Sequence, residues 1–333
     1  MKRIMKTAVV TLAVCMLTID CSRTTGETET SAATPAPTAQ GILAGGKPSI
    51  PGKLDTQDGM PLLTVYMTES ESYEEMDVES YVQGVLAGEM RNDWPMEALK
   101  AQAILARTFV LKFVGEKQSK YENADISTDI AEAQAYNENA INERIIRAVE
   151  ETRGMVLSAG GELPYAWFHA HSGGKTELAK TGLEYKEDEP SYTQSVESAE
   201  SDKAPTAVKS WTARFSTRDV GEACARIGIE TGVVEEISIG EKSESGRAIT
   251  LQVNGMTVSA PALRLVLDST RFKSTMLSEV TVQGGEVVFR GSGYGHGVGM
   301  SQWGAYGLAE QGKTAEEIIR HYFRNVEIVN LWD

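Results

Sequence analysis

Apolar residues early in the chain recur at the spacing of an α-helix. They fall at relative positions 0, 3, 4, 7 and 8, which places them on one stripe of the helix surface. These residues are Val78, Tyr81, Val82, Val85 and Leu86. Asp77 precedes them and has the side chain of an N-cap. A second apolar period starts after Pro95 and reaches Phe113, so the pattern predicts two consecutive helices joined by a turn.

Elsewhere the apolar residues occur in short runs that are typical of strands. Such runs occupy residues 62–66, 155–158, 165–170, 211–215, 237–240, 248–253, 286–290 and 326–331. A third helix is predicted over about 138–153, and a last one after Thr314, which has the spacing of a capping box with Glu317. We therefore predict an α+β fold in which the helix pair packs on a mixed or antiparallel sheet beside a substrate cleft.

The beginning of the chain has the composition of an export signal. Basic residues precede an apolar run at residues 7–19, which is shorter than an ordinary membrane span. We predict that residues 1–21 are a signal peptide or membrane anchor. The protein is then expected at the outer face of the cytoplasmic membrane or in the cell wall. A lipid anchor on Cys15 or Cys21 is an alternative.

The following stretch, residues 22–60, is rich in Thr, Ser, Ala, Gly and Pro and has no sustained apolar period, so it is predicted to be a flexible linker. Residues 61–333 are predicted to form one domain. The formal net charge of −15 argues against nucleic acid as a partner. Cys224 is the single cysteine of the predicted domain, which excludes a disulfide framework within it.

Glu89 lies eleven residues after Val78, so it returns to the apolar stripe of the first helix. Burial and the negative end of the helix dipole both disfavour a carboxylate there, so the pKa of Glu89 is expected to rise. A glutamic acid that keeps its proton near neutral pH can donate it to a glycosidic oxygen. The alternative is that Glu89 leaves the core at the helix end and pairs with Arg91.

Arg107 lies on the second helix, eighteen residues after Glu89. If the two helices pack antiparallel, the Arg107 guanidinium reaches the turn and binds a carboxylate or the acetamido carbonyl of a sugar. The alternative is an arginine whose aliphatic stem packs on the surface while its charge stays in water.

A glycine-rich strip near the C-terminus reads G-S-G-Y-G-H-G-V-G-M-S-Q-W-G at residues 291–304. Glycine at every second position leaves one face of an extended chain without side chains. We predict that the strip floors a cleft for a sugar chain, with an aromatic side chain for stacking and polar ones for hydrogen bonds. The polar candidates are His296, Ser301 and Gln302. Phosphate binding is disfavoured because the spacing differs from that of nucleotide loops.

His169 and His171 alternate on a predicted strand, so both side chains would lie on one face. They are candidates for two ligands of a zinc ion. The residues that follow them supply no third donor, and Cys224 is remote in sequence. Two ordinary polar strand residues are the alternative.

Two sets of motifs resemble one known family. The first set is Y-V-Q-G-V-L-A-G-E-M at residues 81–90, W-P-M-E-A-L-K-A-Q-A at 94–103 and A-R-T at 106–108, and the second is residues 294–304 with H-Y-F at 321–323. With both sets in this order, the chain closely resembles stage II sporulation protein D, a lytic transglycosylase of peptidoglycan. The resemblance covers residues 62–332 and is thin between 121 and 279.

The resemblance implies that Glu89 is the catalytic acid and base. The substrate contacts that it implies are those of Arg107, Tyr192, His296, Ser301, Gln302 and Tyr322. The implied reaction cleaves the β-1,4 bond between N-acetylmuramic acid and N-acetylglucosamine without water. Glu89 protonates the leaving oxygen and then takes the proton of the muramic acid C6 hydroxyl, which closes a 1,6-anhydro ring. The internal hydroxyl replaces the second carboxylate of an ordinary glycosidase.

The resemblance also implies a setting, which is engulfment during sporulation. The expected substrate is a peptidoglycan glycan strand stripped of stem peptides, and the expected partner is an amidase in a membrane complex. No cofactor is implied, although some family members hold zinc near the segment that contains His169 and His171. One alternative is a non-catalytic module of the same fold that binds glycan and stimulates an amidase. Another is a zinc hydrolase that uses the two histidines.

Overall fold

The computed structural model describes residues 46–333 of the 333-residue chain. Over that range helices alternate with several small, mainly antiparallel sheets, so the predicted mixture of α and β structure is confirmed. The predicted signal peptide or anchor at residues 1–21 lies outside the described residues. No helix within residues 46–333 is both long enough and apolar enough to cross a lipid bilayer.

Residues 46–60 belong to the folded domain, although the sequence indicated a linker there. Leu54 is buried, and the strand Thr56–Gln57 pairs antiparallel with Met60 and Pro61. The folded region therefore begins earlier than predicted. Sequence periodicity missed this part because Leu54 is an isolated apolar residue among polar residues, glycine and proline.

The helices are all short except the second. They are α1 (Val78–Glu89), α2 (Met96–Glu116), α3 (Glu143–Glu150), α4 (Ala179–Gly182), α5 (Thr206–Lys209), α6 (Thr217–Arg226), α7 (Ala260–Leu267), α8 (Gln302–Glu310) and α9 (Ala315–Tyr322). The helix predicted over about 138–153 is a 3-10 turn at Glu138–Ala140 followed by α3. Asn142 separates the two, because its side-chain oxygen accepts from Arg144 N and Ile145 N, both at 3.1 Å, and so caps α3.

The strands are β1 (Thr56–Gln57), β2 (Met60–Met67), β3 (Ser72–Asp77), β4 (Ile126–Ser127), β5 (Met155–Ser158), β6 (Phe168–His169), β7 (Trp211–Ser216), β8 (Ile237–Ile239), β9 (Thr250–Val253), β10 (Met256–Ser259), β11 (Leu277–Gln283), β12 (Glu286–Gly291), β13 (Met300–Ser301) and β14 (Glu327–Asn330). They form sheets ordered β1-β2-β3, with β4 beside β2, then β7-β12-β11 and β8-β9-β10, and the pairs β5-β14 and β6-β13. The β2-β4 and β6-β13 pairs are parallel. Strand β3 was not predicted because its residues are mostly polar.

The predicted helix pair is confirmed in detail. Asp77 caps α1, because its Oδ1 accepts from Ser80 N at 2.9 Å. Every apolar residue of the predicted α1 stripe is fully buried. Helix α2 follows directly after Pro95 and packs on α1. The C-terminal end of α1 therefore lies close to the turn that leads into α2.

Two large apolar cores organise the described residues. The first core surrounds α1 and α2, against which α3, α8, α9 and β5 pack. The second core lies within residues 211–289 and is formed by the two three-stranded sheets with α6 and α7. The predicted capping box of α9 is confirmed, since Thr314 and Glu317 bond each other's backbone N–H groups.

Candidate active site

Glu89 is the last residue of α1 and is only 3% exposed. Its Oε1 accepts a hydrogen bond from Ala135 N at 2.7 Å, and its Oε2 accepts one from Gln302 Nε2 at 3.3 Å. The prediction that Glu89 shares the buried stripe of α1 is confirmed. The alternative partner, Arg91, instead pairs with Asp93 at 2.7 Å on the surface.

Burial raises the pKa of Glu89 from 4.5 to about 7. The hydrogen bonds from Ala135 and Gln302 act in the opposite direction, because they stabilise the carboxylate. Neither partner carries a charge, and burial is the largest influence on the pKa of Glu89. At neutral pH the side chain therefore holds a proton in a large fraction of molecules and can act as an acid or as a base.

Two glycines of α1 allow another part of the chain to cover Glu89. A Cβ on Gly88 would lie 2.7 Å from the carbonyl carbon of Ala135, and one on Gly84 would lie 2.1 Å from the ring of Tyr136. This close approach brings the Ala135 N–H group to the carboxylate. The adjacent Gln134 is fully buried, and its amide makes no hydrogen bond to any residue that the structure describes.

The other cover of Glu89 comes from the start of α8. Ser301 caps this helix, because its Oγ accepts from Gly304 N at 3.2 Å. Gln302 is then the first helical residue, and its amide points at Glu89. The next residue, Trp303, packs on Trp94 in the turn between α1 and α2, with ring centroids 4.4 Å apart. These contacts bring the end of the glycine strip to the acid.

The bare face of the glycine strip is occupied by the protein itself. A Cβ on Gly295 would lie 2.7 Å from His169 Cβ, and one on Gly297 would lie 2.5 Å from the guanidinium of Arg247. The spacing of glycines thus predicts close approach correctly. The approaching groups are protein side chains and backbone, so this face of the strip packs against the protein.

His296 lies in the strip and is 7% exposed. Its Nδ1 accepts from Val298 N at 3.0 Å, and its ring centroid lies 5.7 Å from that of His169. Burial lowers the pKa of His296 to about 3 and lowers that of His169 well below its ordinary value. Both imidazoles are therefore neutral at physiological pH.

The two candidate zinc ligands, two positions apart in the chain, are both buried. His169 Nδ1 lies 3.1 Å from Val298 O, and His171 Nδ1 accepts from Gly173 N at 3.0 Å. Within residues 46–333, no three His, Cys, Asp or Glu side chains are grouped as a metal site requires. The donor set therefore does not fit a zinc ion.

Arg107 is fully buried and lies away from Glu89. Its Nη2 donates to Glu79 Oε2 at 2.5 Å, and its Nη1 donates to Met155 O at 3.0 Å. Glu79 precedes Glu89 by ten residues, which is about 15 Å along α1. The structure therefore places Arg107 in an ion pair at the opposite end of the helix and leaves it no access to a ligand at the acid. It is also not the surface arginine of the alternative.

The last two predicted site residues occupy different places. Tyr322 is fully buried, and its hydroxyl lies 2.8 Å from Ser198 Oγ, beside the first turn of α8. Tyr192 lies elsewhere, since its hydroxyl accepts from Tyr165 N at 3.0 Å. Tyr165 in turn bonds Glu116 at the C-terminal end of α2, about 30 Å along that helix from the turn near Glu89.

Sequence reasoning missed two groups of this site. One is the backbone N–H group of Ala135, for which the spacing of Gly84 and Gly88 on α1 was an available signal. The other is Glu200, whose Oε1 accepts from Ser301 Oγ at 2.8 Å. Glu200 lies in a segment without regular secondary structure and has no periodic pattern that could have identified it.

A buried glutamic acid with a pKa near neutrality, at the turn of a helix pair, defines a candidate acid–base site. Comparison with known proteins gives the family. The family model described as stage II sporulation protein matches residues 66–158, and a model described as a domain of unknown function matches residues 174–299.

Stage II sporulation protein D of Bacillus amyloliquefaciens is 32% identical over 79% of this chain and 77% of its own length. The protein of the same name from Bacillus subtilis is 30% identical over 85% of this chain and 83% of its own. A more distant relative named amidase enhancer, also from Bacillus subtilis, is 26% identical over 73% of this chain and 39% of its own. The chain belongs to the stage II sporulation protein D family.

Proposed function

We propose that the protein is a lytic transglycosylase that cleaves peptidoglycan glycan strands during sporulation, with Glu89 as acid and base. The observation that carries the proposal is the burial of Glu89, which raises its pKa to about 7. A group with this pKa can give up a proton and take one back within a single turnover. Membership of the stage II sporulation protein D family supports the same reaction.

The reaction needs one carboxyl group in two successive roles. In the first step, protonated Glu89 donates to the oxygen between N-acetylmuramic acid and N-acetylglucosamine, and the bond to the muramic acid C1 breaks. In the second step, the Glu89 carboxylate takes the proton of the C6 hydroxyl, whose oxygen bonds to C1. The product carries a 1,6-anhydro ring, and Glu89 is protonated again.

The contacts of Glu89 suggest how the glycan reaches it. Both carboxyl oxygens are bonded within the protein, and the bond from Gln302 at 3.3 Å is longer than the bond from Ala135 at 2.7 Å. The Gln302 contact is therefore the weaker of the two, and Oε2 is the oxygen less firmly held by the protein. We expect the glycosidic oxygen to bind at Oε2 beside the Gln302 amide, while Ala135 N holds Oε1 in place.

The proposal extends to location and partners. The expected site of action is the outer face of the cytoplasmic membrane or the cell wall, on strands without stem peptides. A relative named amidase enhancer favours a second candidate function, in which the protein binds glycan and stimulates an amidase without cleaving it.

The test is mass spectrometry of the products formed from purified glycan strands without peptides. Products with anhydro ends, lighter by one water than hydrolysis products, are expected from the natural protein. The Glu89→Gln variant should cleave about a thousandfold more slowly. Glu138→Gln is the matched control, because it makes the same chemical change on an exposed residue close in sequence to Ala135.

Two outcomes would reject the proposal. Reducing ends on all products would exclude the transglycosylase reaction and indicate hydrolysis. Absence of cleavage by the natural protein, together with amidase stimulation that Glu89→Gln retains, would establish the enhancer function instead.

A further inference from the structure

The segment at residues 198–201 lies between α4 and α5 and runs along the beginning of α8. A Cβ on Gly307 would lie 1.9 Å from Ala199 O, so α8 contacts this segment through a bare surface. Ser201 N donates to Trp303 O at 3.1 Å, which ties the segment to the first turn of the helix. The position at which α8 begins therefore depends on these residues.

Glu200 makes the polar contacts of this segment. Its Oε1 accepts three hydrogen bonds, from Ser172 N at 2.8 Å, Ser172 Oγ at 2.6 Å and Ser301 Oγ at 2.8 Å. Its side chain is 11% exposed. Ser172 and Ser301 are therefore joined through a single oxygen of Glu200.

Ser301 is fixed by two bonds at once. Its hydroxyl donates to Glu200 Oε1, and the oxygen of that hydroxyl, Ser301 Oγ, accepts from Gly304 N. A hydroxyl has a single proton, so this arrangement specifies its orientation. The helix cap and the carboxylate are thus joined through one side chain.

The residue after Ser301 is Gln302, which bonds Glu89. Its Nε2 lies 3.3 Å from Glu89 Oε2, near the long end of the range for a hydrogen bond. Its Oε1 is buried, and within residues 46–333 it makes no hydrogen bond that would fix the amide from the other side. A displacement of a few tenths of an ångström at the start of α8 would therefore break the contact with the acid.

We propose that Glu200 is a positioning residue for Glu89, because it anchors Ser301 and thereby holds the Gln302 amide on the acid. The inference rests on the proposed role of Glu89 as the acid. Glu200 itself is anchored on its far side, since the carbonyl of Ser172 accepts from Arg247 Nη2 at 2.5 Å.

The test compares Glu200→Leu with Glu200→Gln. Leucine has a similar size but cannot accept a hydrogen bond, whereas glutamine keeps an acceptor oxygen for Ser301. Asp202→Asn is the matched control, because it removes a charge two residues away on an exposed side chain. Two quantities are measured for each variant, namely the pKa of Glu89 from carboxyl ¹³C resonances and the kcat and KM of glycan cleavage.

In Glu200→Leu the pKa of Glu89 should rise above about 7, because a bond that stabilises its carboxylate is lost. A rise of up to about one unit is expected for the loss of one hydrogen bond. The kcat should fall about tenfold or more, with KM little changed, because the acid is misplaced rather than the glycan. Glu200→Gln and Asp202→Asn should resemble the natural protein in both measurements.

An unchanged pKa of Glu89 in folded Glu200→Leu would overturn the inference. If Glu200→Leu does not fold, Ser301→Ala decides the matter, since it removes the hydroxyl that joins Glu200 to α8 and should raise the pKa of Glu89 in the same way. The titration does not depend on activity. A protein that fails to cleave glycan but shows the rise in pKa would reject the proposed function and keep the link between Glu200 and Glu89.

Discussion

The two cores of the molecule differ in how many buried polar side-chain atoms lack a hydrogen bond within the described residues. In and beside the first core, many buried side-chain atoms make no hydrogen bond within the described residues. They belong to Gln102, Gln134, Trp167, His169, His171, Glu200, His296, Gln302 and Trp303. Residues 211–289, which form the second core, contribute Arg247 to this group, and its Nη2 donates outward to Ser172 O.

This difference indicates that the second core is a structural scaffold, whereas the first core contains the candidate site. An unsatisfied buried polar group destabilises the folded state, so most such groups are removed unless they serve another purpose. The second core consists of apolar side chains between two small sheets, which is what stability alone requires. The first core contains Glu89 and the polar groups near α8, so we expect the energetic cost of function to be concentrated there.

The largest expected effect concerns the buried ion pair of the first core. Arg107→Leu should lower the free energy of unfolding by about 4 kcal/mol, because it leaves the Glu79 carboxylate buried without its counter-charge. Urea denaturation measures this loss. Arg91→Leu is the matched control, since Arg91 pairs with Asp93 on the surface and its loss should stay within about 1 kcal/mol. Equal losses in both variants would show that the buried pair contributes no more than an exposed one.

The second prediction tests whether the Glu89 side chain lowers the free energy of unfolding of the protein. The pKa of Glu89 is raised in the folded protein, so its stabilising contribution is complete below pH 4.5 and is lost as the pH rises through about 7. Glu89→Gln stays neutral at every pH and does not lose that contribution. The difference between a pKa of 4.5 and one of about 7 corresponds to about 3 kcal/mol in the free energy of unfolding.

Glu89→Gln should therefore be more stable than the natural protein by up to about 3 kcal/mol at pH 8, and equally stable at pH 4. Thermal or urea unfolding at the two pH values measures the difference, with Glu138→Gln as the exposed control. A variant whose stability follows that of the natural protein at both pH values would mean that Glu89 has the pKa of a hydrated carboxyl group.

Local patterns in the sequence predicted the parts of this site that depend on one helix. The period of α1 placed Glu89 on the buried face, and Asp77 identified the start of the helix. The period did not give the partners of the acid, because Ala135 and Gln302 lie 46 and 213 residues away in the sequence. Contacts at such separations follow from packing of the whole chain, which no local period encodes.

Arg107 and the glycine strip illustrate the same limit. The sequence indicated that the strip permits close approach, but not that His169 and Arg247 are the groups that approach it. For Arg107, the adjacent apolar residues were compatible with both a surface and a buried position. Its partner Glu79 lies 28 residues away on another helix, and the choice between the two positions depends on that contact.

The smallest expected effect is the loss of stability when a helix cap is removed, which we compare for one cap in each core. Asp77 caps α1 in the first core, and Ser216 caps α6 in the second, where its Oγ accepts from Asp219 N at 3.0 Å. Asp77→Ala and Ser216→Ala should each lower the free energy of unfolding by about 1 kcal/mol. Neither should change the pKa of Glu89, because Asp77 caps the end of α1 opposite to the acid. A change in that pKa in Asp77→Ala alone would mean that the whole of α1, and not only its C-terminal end, sets the environment of the acid.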